Sequence, residues 1–60
     1  MHSAFLIRRL LAAGWCHVST RGSHWKFRHP TSGQTVIVPH PRKDLPIGTV
    51  QSILKQANLK

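Results

Sequence analysis

The chain has 60 residues, and nine Lys or Arg stand against one acid, Asp44, giving a formal net charge of +8. This length leaves room for one hydrophobic core, so residues 1–60 are expected to form one domain, and the 40% apolar content argues against disorder. A chain with a single acidic side chain lacks the residues for paired-acid hydrolysis, for carboxylate-bound magnesium and for Asp-oriented catalytic triads. The net positive charge predicts a polyanionic partner, which can be nucleic acid, an anionic membrane surface or an acidic protein.

The first predicted element is a helix over residues 4–13. Ser3 is a suitable N-cap, and Gly14 stands where a left-handed residue is expected after the helix. Arg8 and Arg9 are expected to lie in solvent. The remaining residues form a broad apolar face made of Phe5, Leu6, Ile7, Leu10, Leu11 and Ala13.

Two strands and a tight turn are predicted next. Residues 15–20 alternate with a period of two, and Arg21, Gly22 and Ser23 supply the turn. The second strand, residues 24–29, places two aromatic residues, Trp25 and Phe27, on the core face. Its other face carries His24, Lys26 and Arg28.

A third strand and a second helix complete the chain. Residues 30–34 form a turn, and residues 35–38 form a strand that Pro39 and Pro41 end. A helix start is indicated around Asp44 and Pro46, and apolar residues recur at helical spacing beyond it. The prediction is an α+β fold of order α-β-β-β-α, in which both helices cover one face of a three-stranded antiparallel sheet.

Cysteine usage and hydropathy predict a cytoplasmic protein. Cys16 is the only cysteine, so no intramolecular disulfide can form, and its thiol is expected to be packed. The apolar run at residues 4–7 is too short for a secretory signal or a membrane span. A zinc site from Cys16 and histidines is disfavoured because no paired-ligand spacing is present. No metal or cofactor is expected.

Histidine is the side chain left for chemistry. It exchanges a proton near neutral pH, and RNA cleavage needs a base for the 2′-OH proton together with cations for the phosphate charge. His24 follows the turn and shares a strand face with two cations, so it is the candidate base. A solvated strand histidine is the competing interpretation. His17, His29 and His40 are weaker candidates, and Trp15 is expected to be partly exposed, where an aromatic ring can stack on RNA bases.

Four ordered motifs resemble those of the HicA family. They are A-A-G-W at 12–15, R-G-S-H at 21–24, V-P-H-P at 38–41 and G-T-V-Q-S-I-L-K-Q-A at 48–57. The resemblance covers nearly the whole chain. It implies a fold like a double-stranded RNA-binding domain and a toxin that cleaves messenger RNA and arrests translation, with His24 matching the essential histidine of the family.

The resemblance also implies a partner, a HicB-type antitoxin that covers the active site and is expected to be acidic. RNA contacts are predicted at Arg21, Gly22, Ser23, Lys26, Arg28, His40, Arg42 and Lys43. Asn58 replaces the glycine that many members have after the last helix, and asparagine also tolerates the left-handed conformation. Two alternatives remain open: a non-catalytic double-stranded RNA-binding module, and a membrane-active cationic peptide, which the strand pattern disfavours.

Overall fold

A computed structural model of the protein describes residues 1–59 and confirms the predicted α-β-β-β-α order. The predicted strand and first-helix boundaries lie within one residue of the observed ones. None of the helices in residues 1–59 is both long and apolar enough to cross a membrane. The elements are α1 Ser3–Ala12, β1 Cys16–Arg21, β2 His24–Arg28, β3 Thr35–Pro39 and α2 Ile47–Gln56.

The three strands form an antiparallel meander in the order β1-β2-β3, and both helices pack on one face of it. The two sides of the sheet differ because neighbouring residues of a strand point to opposite faces. Phe27 lies opposite Val36 in the register, and both are buried under the helices. The core consists of Leu6, Leu10, Trp15, Phe27, Val36, Val38, Leu45, Val50, Ile53 and Ala57.

Strand β1 departs from the predicted alternation of buried and exposed residues. All six of its residues are exposed, since β1 is an edge strand and the helices pack against β3 instead. The register with β2 shifts between His17 and Ser19, which leaves Val18 as the extra residue of a β-bulge. The bulge moves the side chains beyond it to the opposite face from the one that simple alternation predicts.

The start of α1 also differs from the prediction. His2 is the N-cap, and its Nδ1 accepts a hydrogen bond of 3.0 Å from the N–H of Ala4. Ser3, the predicted cap, is instead the first helical residue and is fully buried. The predicted apolar face is narrower than expected, because Phe5 and Leu11 are more than half exposed.

Three further expectations about burial are wrong. Cys16 is exposed, because it opens the edge strand β1 instead of facing the core. Trp15 is buried, not partly exposed, and its ring meets the edge of His29 at 5.3 Å between centroids. Trp25 is only half-buried, since it lies at the side of the core, stacked on His17.

Left-handed residues occur where the sequence predicted them after both helices. Gly14 has φ 95° and Asn58 has φ 58°. Gly22 has φ 59° and is the first residue of the two-residue turn that joins Arg21 to its partner His24. A two-residue hairpin requires positive φ at such a position, which favours glycine. A Cβ atom on Gly22 would meet nothing within 4 Å, so the requirement is one of backbone conformation alone.

Replacing Gly22 with alanine is expected to destabilise the protein by about 1 to 2 kcal/mol, the cost of a left-handed L-residue. Thermal unfolding checks this, and a loss of 1 kcal/mol lowers Tm by about 4–8 °C in a domain of this size. Gly48→Ala is the matched control. Gly48 lies in α2 with open space around it, so alanine there should raise stability by up to about 1 kcal/mol. Equal effects of the two substitutions would contradict this account of the turn.

Candidate functional site

The candidate site is the outer face of the sheet, meaning the face opposite the helices. His24, Lys26 and Arg28 alternate with the inward Trp25 and Phe27, and all three are exposed. The strand pairing of β1 with β2 adds Arg21 to this face, opposite His24. The hairpin therefore groups one imidazole with three cations, as the pattern in β2 predicted for all but Arg21.

The side chain of His24 borders an open depression of about 730 Å³ on this face. The depression is partly open to solvent, so a ligand can reach the ring of His24 from outside. The residues that line it are Ser19, Thr20, Arg21, His24, Lys26 and Ile37.

The five histidines differ in whether their rings are already engaged. Four of them have a ring nitrogen in a hydrogen bond that holds a helix start, a strand or a turn in place. In the part of the chain that the structure describes, the ring of His24 has no hydrogen-bond partner and is open to solvent. The four pairs are His2 with the N–H of Ala4, His17 with the hydroxyl of Thr20, His29 with the N–H groups of Thr31 and Ser32, and His40 with the hydroxyl of Ser3.

His40 lies on the helix side of the sheet, away from the outer face. Its Nδ1 is 2.6 Å from the hydroxyl oxygen of Ser3, and its ring meets the Trp25 ring edge-on at 4.7 Å. Its backbone N–H donates to the carbonyl of Ser23 in the β1–β2 turn at 2.8 Å. His40 thus connects α1, β2 and the turn before His24, and its predicted contact with RNA stays a prediction.

Arg42 and Lys43 lie in the exposed segment between β3 and α2. Arg42 is fixed through its backbone, since its N–H donates to the Ser3 hydroxyl at 2.9 Å and its carbonyl accepts from the Ser3 N–H at 2.9 Å. The buried Ser3 thereby holds this basic segment against α1. The two charged side chains are left in solvent near one end of β3.

Negative side-chain charge is confined to the same segment. Asp44 is 91% exposed and pairs with the N-terminal ammonium group at 3.1 Å, an interaction that water weakens. Among residues 1–59, the residues that line the depression on the outer face therefore include cations and no side-chain carboxylate. No group of three His, Cys, Asp or Glu residues within positions 1–59 is arranged to hold a metal ion.

Three residues of the depression, Ser19, Thr20 and Ile37, were not predicted as site residues. A two-residue turn pairs Arg21 with His24. Counting back along β1 from that pair was the one way to place Ser19 and Thr20 near His24 from the sequence. The signal for Ile37 was its position in a short third strand. The hydroxyl of Thr20 is already bonded to His17 at 2.6 Å, which leaves Ser19 as the uncommitted hydroxyl beside His24.

Comparison with known proteins identifies the family. The family model described as the HicA toxin of bacterial toxin-antitoxin matches residues 5–59, which include all three strands, α2 and His24. No curated protein matches the chain. The match confirms the resemblance of the four motifs, and a toxin of this kind implies an antitoxin partner. The chain belongs to the HicA toxin family.

Proposed function

We propose that this toxin is an endoribonuclease that cleaves messenger RNA and arrests translation, with His24 as the residue that moves the proton. The observation that carries the proposal is the difference among the histidines. His24 combines a ring without a hydrogen-bond partner, solvent exposure and a place among cations, whereas each of the other four rings has a hydrogen-bond partner.

The reaction that suits one imidazole is attack by the ribose itself. His24 takes the proton of the 2′-OH, the 2′ oxygen forms a bond to the adjacent phosphorus, and the bond from phosphorus to the 5′ oxygen breaks. The 5′ oxygen takes a proton from a solvent water and leaves as a hydroxyl, the protonated His24 returns its proton to solvent, and the other fragment ends in a 2′,3′-cyclic phosphate. The substrate supplies the nucleophile, so the protein needs only proton transfer, charge stabilisation and alignment.

Cations on the outer face fit the remaining requirements. Lys26 and Arg28 follow His24 along β2 at two-residue steps, and Arg21 lies beside it on β1. Their charges attract the phosphates and stabilise the negative charge that builds up on the non-bridging oxygens of the reacting phosphate. Gly22 and Ser23 bring the turn backbone close to the same region, and Arg42 and Lys43 extend the basic surface beyond β3. His40, on the helix side, would support this site through the turn, because its backbone N–H donates to the carbonyl of Ser23.

The antitoxin is proposed to be an acidic protein of the HicB type that covers His24. A face with one histidine, several cations and no neighbouring carboxylate attracts an acidic surface by charge complementarity. Covering the outer face also denies RNA access to the imidazole. Binding and inhibition then use the same set of charges.

Replacing His24 with alanine is expected to lower RNA cleavage by about 10²-fold or more, the usual contribution of a general base. Stability should change by less than about 0.5 kcal/mol, because the ring is exposed and opens no cavity. His17→Ala is the matched control: an exposed histidine on the other face of the sheet, whose loss should leave cleavage near the parental rate. Parental cleavage by the folded His24 variant would favour the non-catalytic RNA-binding module instead.

A second prediction concerns the nucleophile. Cleavage should fail on RNA with a 2′-deoxy or 2′-O-methyl group at the scissile nucleotide, and it should persist in excess chelator, because the one carboxylate of the chain cannot build a metal site for water attack. Mass spectrometry of the fragments should show the cyclic phosphate. Undiminished cleavage of the 2′-deoxy substrate would show that water attacks in place of the ribose.

A third prediction concerns the phosphate contacts. RNA affinity should fall steeply with added salt, and the slope of log K against log salt should decrease by about 0.7 to 0.9 for each cation removed from the interface. Lys26→Ala and Arg28→Ala test this. Arg8→Ala on α1 is the control, since Arg8 lies on the helix side, over the ring of Phe5. Equal slopes for all three variants would remove Lys26 and Arg28 from the interface.

A further inference from the structure

Strand β3 has a free edge whose backbone groups point outward. His29 donates its N–H to the carbonyl of Gln34, and His40 donates to Ser23, so these are hydrogen-bonded pairs of the β2–β3 ladder. Such pairs alternate along an antiparallel ladder, which directs the N–H and C=O of Val36 and Val38 toward β2. The N–H and C=O groups of Thr35 and Ile37 therefore face away from the sheet.

A groove runs along this edge between β3 and α2. Its volume is about 560 Å³. The residues that α2 contributes to its wall are all uncharged, and several of them are small. Gly48 has nothing within 4 Å of the place where a Cβ would stand, so the wall leaves space for a side chain from outside. The lining residues are Thr35, Val36, Ile37, Pro39, Gly48, Thr49, Ser52, Ile53 and Gln56.

The groove differs from the outer face in its charge and in the kind of ligand that it suits. None of its lining residues is charged, although the chain carries a net charge of +8. A phosphate backbone finds no cation there, whereas an extended polypeptide finds two sets of unpaired N–H and C=O groups. Ile37 adds an apolar contact, because its side chain is half exposed. The opposite edge, β1, is less suited to pairing because the bulge at Val18 interrupts its register.

We propose that the antitoxin adds a β-strand to β3 in this groove. The inference rests on the proposed acidic antitoxin and names a second contact that it makes. The added strand would bond to Thr35 and Ile37 through its backbone, as in β-augmentation. Its side chains would alternate between small or apolar residues, which face Gly48 and Ser52, and acidic residues, which lie on the outer face with Lys26 and Arg28.

Charge favours the antitoxin over a second copy of the chain. Pairing β3 with β3 of another copy brings together two proteins of net charge +8, and like charges oppose that association. An acidic partner gains from the same charges. The segment that occupies the groove is therefore assigned to the partner of opposite charge.

Hydrogen exchange resolved by NMR tests the proposal on the full-length chain, free and in complex with its antitoxin. In the free chain, the amides of Val36 and Val38 should exchange slowly, and those of Thr35 and Ile37 quickly. In the complex, Thr35 and Ile37 should slow by about tenfold or more, which yields protection along the whole of β3. Unchanged exchange at Ile37 in a formed complex would overturn the proposal.

Two neighbouring substitutions on α2 test the location. Ser52→Arg fills the groove, whereas Gln51→Arg adds the same charge to an exposed position outside it. Arginine is a good helix former, so both variants should fold. Antitoxin affinity should fall about tenfold or more for Ser52→Arg, a loss typical of a central interface position, and little for Gln51→Arg. Equal affinities would overturn the proposal, as would protection of Ile37 that grows with concentration in the free chain.

The same samples separate this inference from the proposed function. RNA cleavage by the free Ser52→Arg variant should equal that of the parent, since Ser52 lies outside the RNA face. If the chain cleaves no RNA but the amides of Thr35 and Ile37 gain protection in the complex, the proposed ribonuclease activity is refuted and the proposed strand addition at β3 is supported. The ring resonances of His24 report in the same titration whether the antitoxin also covers the outer face, and no change there would refute that mode of inhibition.

Discussion

Strand β2 is the constraint on which the other features depend. It is paired on both sides, so its backbone cannot rotate, and each side chain has a fixed face. Phe27 commits one face to the helices, because a buried aromatic ring contributes much of the hydrophobic stabilisation available to so small a core. His24, Lys26 and Arg28 are then directed to solvent by the period of two. The opposite orientations of the core face and the basic face are thus set by the five consecutive residues of β2.

Most of the histidines in this chain act in the structure. Imidazole serves in place of the usual capping residues: His2 caps α1, His29 accepts two N–H groups of the turn after β2, and His40 engages the buried Ser3. The ring nitrogens of His2 and His29 accept hydrogen bonds from backbone N–H groups, as the side-chain oxygens of capping residues do. His24 has no such role within residues 1–59, where its ring makes no structural hydrogen bond. This freedom is what a group that transfers protons requires.

The surface is divided between two kinds of recognition. The outer face offers cations and one imidazole, which suit phosphates and acidic side chains. The contribution of these charges to binding affinity decreases as salt is added. The groove between β3 and α2 offers backbone groups and small side chains, which suit an extended polypeptide and respond weakly to salt. In the function proposed above, RNA binds the first surface alone, whereas the antitoxin binds both. An antitoxin that engages both can therefore outcompete RNA for the charges that the two share.

The sequence by itself determined the element order, the two faces of β2, the turn at Gly22 and the left-handed positions of Gly14 and Asn58, because these depend on neighbours within a few residues. It also singled out His24. Only the tertiary structure decided the bulge at Val18, the burial of Trp15 in the core and the exposure of Cys16 on an edge strand, because each depends on how the strands pair and the helices pack. The role of Ser3 could not be predicted from the sequence either, because its partners His40 and Arg42 lie 37 and 39 residues away. Contacts of that separation form when the helices and sheet pack together, and local pattern carries no information about them.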